Sequence, residues 1–343
     1  LQTDSLSELR PLAMGELIDR SARLWRAQLK PLFQIFLGFE LLVYAAIKGY
    51  RVAIRIWFPL VEGGMRLADA IQNDSREVAR QFILAGLAGL PVLVLYLIIA
   101  WLAAIAGARF VLREYLGEPS SPPECIRFVV GHLGRAMRVL LLCLLIGLAM
   151  GFAFMAPGAL LAILGTIGTA ASSRTSAVVL LLLLGMLLAM GGAFLCFLWY
   201  LLRFLLIAPV VAAEELGAIQ ALKRSRELIS GSIGPGLMNR VRIRAAVLLA
   251  VLGMVLIVVT SIGSVPAVVV TLAYTAPWDP ARSDPTAVPQ LLLVPAELFQ
   301  IGVQALFSPL YVIFASLFYV DMRVRREGLD LQLKLDRTYP RAA

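Results

Sequence analysis

Glu297, Gln300 and Gln304 are spaced i, i+3 and i+7, so a helix carrying them sets all three on one face. A carboxylate beside two amides can hold a head group, a proton or a small solute. It can equally fix helix register through interhelical hydrogen bonds worth about 0.6–2 kcal/mol each. The trio lies in an apolar run, residues 291–320, where ionisable groups are costly and commonly functional. Glu40 and Arg203 also sit inside apolar runs, about 12 Å from the start of the first run and about 15 Å from residue 213 at 1.5 Å per residue. Their matching depth predicts an ion pair. Thr260, Ser261 and Ser264, in a further run, offer hydroxyls that could meet the amides.

Other chemistry is thin. Cys125, Cys143 and Cys196 share no metal-ligand spacing, and His132 stands alone, so no metal site is expected. "GSIGPG" (231–236) is Gly-rich but lacks the Lys-Ser/Thr of a phosphate loop, and no nucleophile elbow is present. No catalytic residue or cofactor is assigned, and the chain is not expected to be an enzyme. The net charge of +9 does not read as a nucleic-acid surface, because the basic residues flank apolar runs where acidic head groups would meet them.

These residues must be positioned by long apolar helices. The chain of 343 residues is 60% hydrophobic and 15% charged, against about 45–50% and 25% in soluble domains. The pattern predicts an all-α polytopic membrane protein, a single membrane domain with spans near 32–50, 82–108, 139–165, 177–202, 245–272 and 291–320. Pro91, Pro157, Pro266, Pro295 and Pro309 fall inside them and predict kinks. The run 177–213 would extend about 55 Å as one helix, which exceeds a hydrocarbon core. It should project beyond the membrane or break near Pro209.

The first thirty residues carry four acids and do not read as a secretory signal. Of the 31 Lys and Arg, 23 lie in the N-terminal segment, the second and fourth connections and the C-terminal segment. Excess basic charge marks the cytoplasmic side, so both termini are expected there. The cytoplasmic tail is 321–343.

"MGELIDRSARLW" (14–25) and "AIQALKRSRELI" (218–229) align without a gap, each with apolar residues on one helical face and Arg-Ser at the same place. A poorer third copy is "PECIRFVVGHLG" (123–134). The chain thus reads as three hairpins, each preceded by an amphipathic helix, near 11–30, 121–138 and 217–230. Such helices either lie in the head-group plane with Arg20, Arg23, Lys223 and Arg224 toward phosphates, or serve as elbows that pack each hairpin.

"FYVDMRVRREGLDLQ" (318–332) occupies the slot of a fourth elbow. Tyr319 suits an interfacial belt, and Arg323, Arg325 and Arg326 suit an acidic leaflet. Asp321 and Arg325 are spaced to pair, and Gly328 can stop the helix in a left-handed conformation.

Three stretches carry a family resemblance: "MGELIDRSARLWRAQLKPLF", "APVVAAEELGAIQALKRSRELISGS" and "YVDMRVRREGLDLQL". They resemble the glycerophosphoryl diester phosphodiesterase membrane-domain family over roughly residues 10–332. The motif positions are Glu215, Ala221, Leu222, Arg224 and Ser225, then Tyr319, Asp321, Arg323, Arg325, Glu327 and Gly328. In members with the activity, a separate soluble barrel performs hydrolysis; no stretch here is long enough for one, so no catalytic residues carry over. The resemblance implies a module of about six helices in the bacterial cytoplasmic membrane. The expectation is a non-enzymatic module that organises a membrane complex or binds lipid at the inner leaflet. Its partners would be membrane lipids and a membrane protein or second copy, not nucleic acid. A transporter for a lipid-like or small solute is the alternative, and a membrane-embedded lipid enzyme the third.

Overall fold

A computed structural model describes residues 12–62, 75–171, 175–231, 240–275 and 288–328. The turn from 232, the connector from 276 to 287 and the tail beyond 328 lie outside the described residues. So do the N-terminal acids Asp4 and Glu8.

Within them are helices and no strand. α1 (Met14–Ala27) runs almost directly into α2 (Leu29–Trp57), and a single turn, α3 (Pro59–Glu62), precedes α4 (Ser75–Tyr115). α5 (Pro122–Gly131) leads into α6 (Leu133–Ala171), which pairs with α7 (Thr175–Phe204) and ends in the short α8 (Ile207–Ala213). α9 (Ala218–Ile229) precedes α10 (Val241–Thr275), α11 (Gln290–Phe307) and α12 (Pro309–Glu327). Six segments are long and apolar enough to cross a membrane; five contain an expected span, and the fourth, Val179–Ala213, begins two residues inside the expected 177–202. The protein is an all-α, multi-pass membrane protein.

Four of the six prolines discussed above stay inside helices; the other two stand at breaks. A proline ring clashes with the carbonyl four residues earlier. Pro209 therefore excludes a straight helix past Leu205, and α7 stops at Phe204. Pro209 then falls in the first turn of α8, where a missing N–H costs little. Pro309 opens α12 at its first position, just after the break at Ser308. The long run 177–213 is thus kinked, as expected, but the kink lies ahead of Pro209 and the segment beyond it turns inward. Six of the seven α8 residues are buried.

That inward turn explains the core. Each hairpin's return arm ends in a buried stretch: the end of α4 (103–112), residues 205–212, and α12 from Val312 to Met322. These three arms pack on one another, and α1, α5 and α9 sit against them. The packed core therefore occupies one end of the bundle, called here the terminal face because both described ends of the chain lie there. Toward the other end, side chains such as Phe152, Met186, Ile257 and Leu291 point outward. Hydrocarbon must cover them.

The three short helices start alike. The N-cap amide of Ala13 is held by Glu16 at 3.0 Å, that of Ser121 by Glu124 at 3.4 Å and that of Gly217 by Gln220 at 3.1 Å. This half of a capping box satisfies one of the free donors at each helix start. It sets the true register of the repeat: 14, 122 and 218 correspond, so the third copy is shifted by one from the sequence alignment at 123. In this register Leu17, Cys125 and Ala221 are all buried, and so are Ser21, Val129 and Ser225. The former register would have put Val130 in that slot, and Val130 is 63% exposed. Because these faces pack on protein, the helices act as elbows. Their apolar sides are not turned to lipid.

Elbow residues also serve the two breaks. The last carbonyls of a helix lack a partner along the chain. Leu306 O, next to the Ser308 break, accepts from the Trp25 indole at 2.9 Å; Arg203 O, next to the Leu205 break, accepts from Ser225 Oγ at 3.4 Å.

Candidate functional site

The polar residues of α11 face α2. Lys48 Nζ lies 2.7 Å from Glu297 Oε2, Tyr44 donates to the same oxygen at 2.9 Å, and Arg51 approaches Oε1 at 3.5 Å. Glu40, Tyr44, Lys48 and Arg51 follow i, i+4, i+8 and i+11, one stripe of α2. Opposite them, Glu297, Gln300 and Gln304 form the expected stripe of α11. The two stripes line a groove of about 180 Å³, with Val43, Ile47 and Ile301 as apolar wall and Tyr96 of α4 at its edge. From Arg51 to Glu40 it runs about 16 Å along α2 at 1.5 Å per residue. At the deep end Glu40 takes a hydrogen bond from Ser308, the residue at the α11–α12 break. At the other end a second hollow of about 170 Å³ continues past Glu297 between Lys48, Arg51 and Arg55. The groove thus has a basic mouth, an amide-lined middle and a carboxylate at its inner end.

Four of the five residues expected to form an intramembrane polar site meet here. The fifth does not. Arg203 makes no ion pair with Glu40; its guanidinium stacks over Trp199 at 4.9 Å, between α7 and α9. Equal depth along the membrane normal said nothing about position around the bundle. Ser261 and Ser264 bond within α10 (Ser264 Oγ to Ser261 O, 2.8 Å), and no α10 residue lines the groove. Lys48 was not singled out in the sequence. Its signal was there, because Glu40 and Lys48 lie two helical turns apart on one face.

The basic residues expected to face lipid are mostly engaged within the protein. The last arm, α12, is buried through Met322, so its charges meet other helices. Asp321 is 2% exposed; it accepts from the Leu12 amide at 2.8 Å and from Arg325 at 3.0 Å, and Arg244 of α10 lies 3.4 Å away. Arg325 also donates to Leu12 O at 2.7 Å. Tyr319 donates to Glu214 Oε1 at 2.6 Å, and Arg224 Nε donates to both Glu214 oxygens at 3.2 Å. Glu327 closes this ring, pairing with Arg224 and with Arg323 at 3.0 Å. Arg326 donates to the carbonyls of Glu227 and Ser230, and Arg20 to Tyr115 Oη at 2.8 Å. Burial alone would lower the Arg224 pKa, but Glu214 and Glu327 outweigh it and hold it above its ordinary value. Among the residues expected to face lipid, Arg23, Lys223 and Arg326 are exposed, Arg326 while bonded to the carbonyls of Glu227 and Ser230.

Two expectations for this region hold. Asp321 and Arg325 pair, and Gly328 caps α12 in the left-handed conformation at φ +60°. Of the motif positions, Glu215 is exposed, and its neighbour Glu214, not singled out in the sequence, is the one that joins the ring. Cys125 is buried, which pushes its thiol up, and no group of three metal-ligating side chains occurs among the described residues.

The groove and the clasp, as the ion-paired network of Asp321, Glu214 and Glu327 with their arginines is called, define a class, a multi-pass helical membrane protein with a polar groove between two of its spans. Comparison with family models, with curated proteins and with solved structures finds no match to this chain.

Proposed function

We propose that the chain is a non-enzymatic module of the bacterial cytoplasmic membrane, with both termini cytoplasmic, that holds the polar part of an amphiphile in the groove between α2 and α11. The groove carries this reading. Two charged and amide stripes inside membrane-spanning helices are costly unless something uses them, and their apolar walls suit a molecule with a tail. The basic mouth favours an acidic or zwitterionic head group. The resemblance of its three motif stretches to the phosphodiesterase membrane-domain family supports the bacterial membrane assignment. The excess of Lys and Arg at the terminal face supports the orientation.

Native mass spectrometry after gentle extraction tests the proposal. A bound amphiphile should accompany the wild type and be lost from Gln300→Leu/Gln304→Leu; retention in that variant, or a bare wild type, would overturn the reading. A co-purifying protein or second copy would instead favour the complex-organising role. Transport is the second reading, favoured by the helix break at Ser308, which places a hinge-like interruption beside Glu40 at the inner end of the groove. Uptake of a lipid-like or small solute into proteoliposomes distinguishes it.

A further inference from the structure

A second cavity, of about 140 Å³, opens at the terminal face between α7, α9 and α10. It shares no lining residue with the groove. Three guanidinium groups line it, Arg203, Arg226 and Arg242, with Trp199, Leu202 and Ile229. Each arginine comes from a different helix. Ser225, docked on the Arg203 carbonyl, is what brings Arg226 beside Arg203.

The charge here is uncompensated. No carboxylate lines the cavity, and none of the three arginines makes an ion pair among the described residues. Elsewhere on this face the arginines of the clasp are matched by Glu214, Asp321 and Glu327. The connecting residues 232–239 contain no acid. The charges of Arg226 and Arg242 bear on Arg203, so the cavity gathers three mutually repelling cations. Such repulsion is relieved by an anion that accepts several charge-assisted bonds at once, and phosphate fits arginine forks in this way. The cavity wall adds an indole and two aliphatic side chains.

We infer that this cavity binds a phosphate-bearing anion, either the head group of an acidic phospholipid or free phosphate. The site is independent of the groove and stands whether or not the groove holds an amphiphile.

The test is thermal unfolding of the full chain in a neutral detergent. Phosphatidylglycerol, phosphatidylcholine and inorganic phosphate are titrated separately at matched ionic strength. Phosphatidylglycerol should raise the unfolding temperature and phosphatidylcholine should not. Arg226→Gln/Arg242→Gln, whose side chains are exposed and without partners among the described residues, should fold normally. It should need roughly a hundredfold more phosphatidylglycerol for the same shift, about tenfold per guanidinium. Arg23→Gln/Lys223→Gln, which removes two exposed cations outside the cavity, should respond like the wild type. If inorganic phosphate alone stabilises as strongly and the cavity variant abolishes that effect, the phosphate site stands and its source is free phosphate. Equal responses of wild type and cavity variant, equal effects of the two lipids, or no response to lipid and phosphate alike would overturn it.

Discussion

Asp321 and Glu214 each carry more of the structure than their neighbours in sequence. Removing a carboxylate from a buried pair strands its partner, at a cost of about 3–5 kcal/mol. Asp321→Ala leaves Arg244 and Arg325 facing each other across a site that is almost wholly buried. It should cost that much in denaturant unfolding of the detergent-solubilised protein. Glu215→Ala, one residue from Glu214, should change stability by less than about 0.5 kcal/mol, as exposed sites do. In the groove, reversing Lys48 to Glu or Glu297 to Lys should each lower folded yield, and the double reversal should restore most of it. A double variant no better than the singles would refute a direct pair. Part of this chemistry was visible in sequence. Helical spacing gave Asp321–Arg325 (i, i+4) and the stripe at 297, 300 and 304 (i, i+3, i+7), because both are local. Glu40–Arg203 failed because pairing across helices depends on which faces meet, and single-helix spacing holds no such information. The clasp was misread for a related reason: a run of charges at the end of an apolar span looks like an exit from the membrane, yet here it enters the core.

At the scale of elements, the α6–α7 hairpin is held by glycine. A side chain built on Gly158, Gly185 or Gly192 would run into the backbone of the facing helix, whereas Gly151 has open space around it. Gly192→Leu should therefore destabilise the hairpin by more than the about 1–3 kcal/mol usual for overpacking, and Gly151→Leu should be tolerated. Thermal unfolding of the two variants side by side checks this. Gly328→Ala forces a side chain into the left-handed region and should cost about 1–2 kcal/mol. The existence of every span was legible from hydropathy, since twenty apolar residues leave few alternatives. The repeat was legible too, but its third register was not. Aligning apolar residues cannot separate Val129 from Val130; the capping acid at the helix start can, and Glu124 was the residue to align with Glu16.

For the whole molecule, the arrangement predicts a labelling pattern. All three native cysteines are buried, so the wild type should resist membrane-impermeant maleimides. Cysteines placed at Arg23 and Lys223 should label from one side of the membrane, and one placed at Trp57 from the other. Arg23 and Lys223 labelling from opposite sides would contradict the bundle. The clasp also has a temporal consequence. Asp321 serves the Leu12 amide across 309 positions of sequence, and it neutralises Arg244 as well. While the chain is being synthesised, the first elbow and the third hairpin wait with unmet donors until nearly the last helix has emerged. A ribosome that stalls before residue 321 leaves those groups bare, and such a product would advertise its own incompleteness to the cell's proteases.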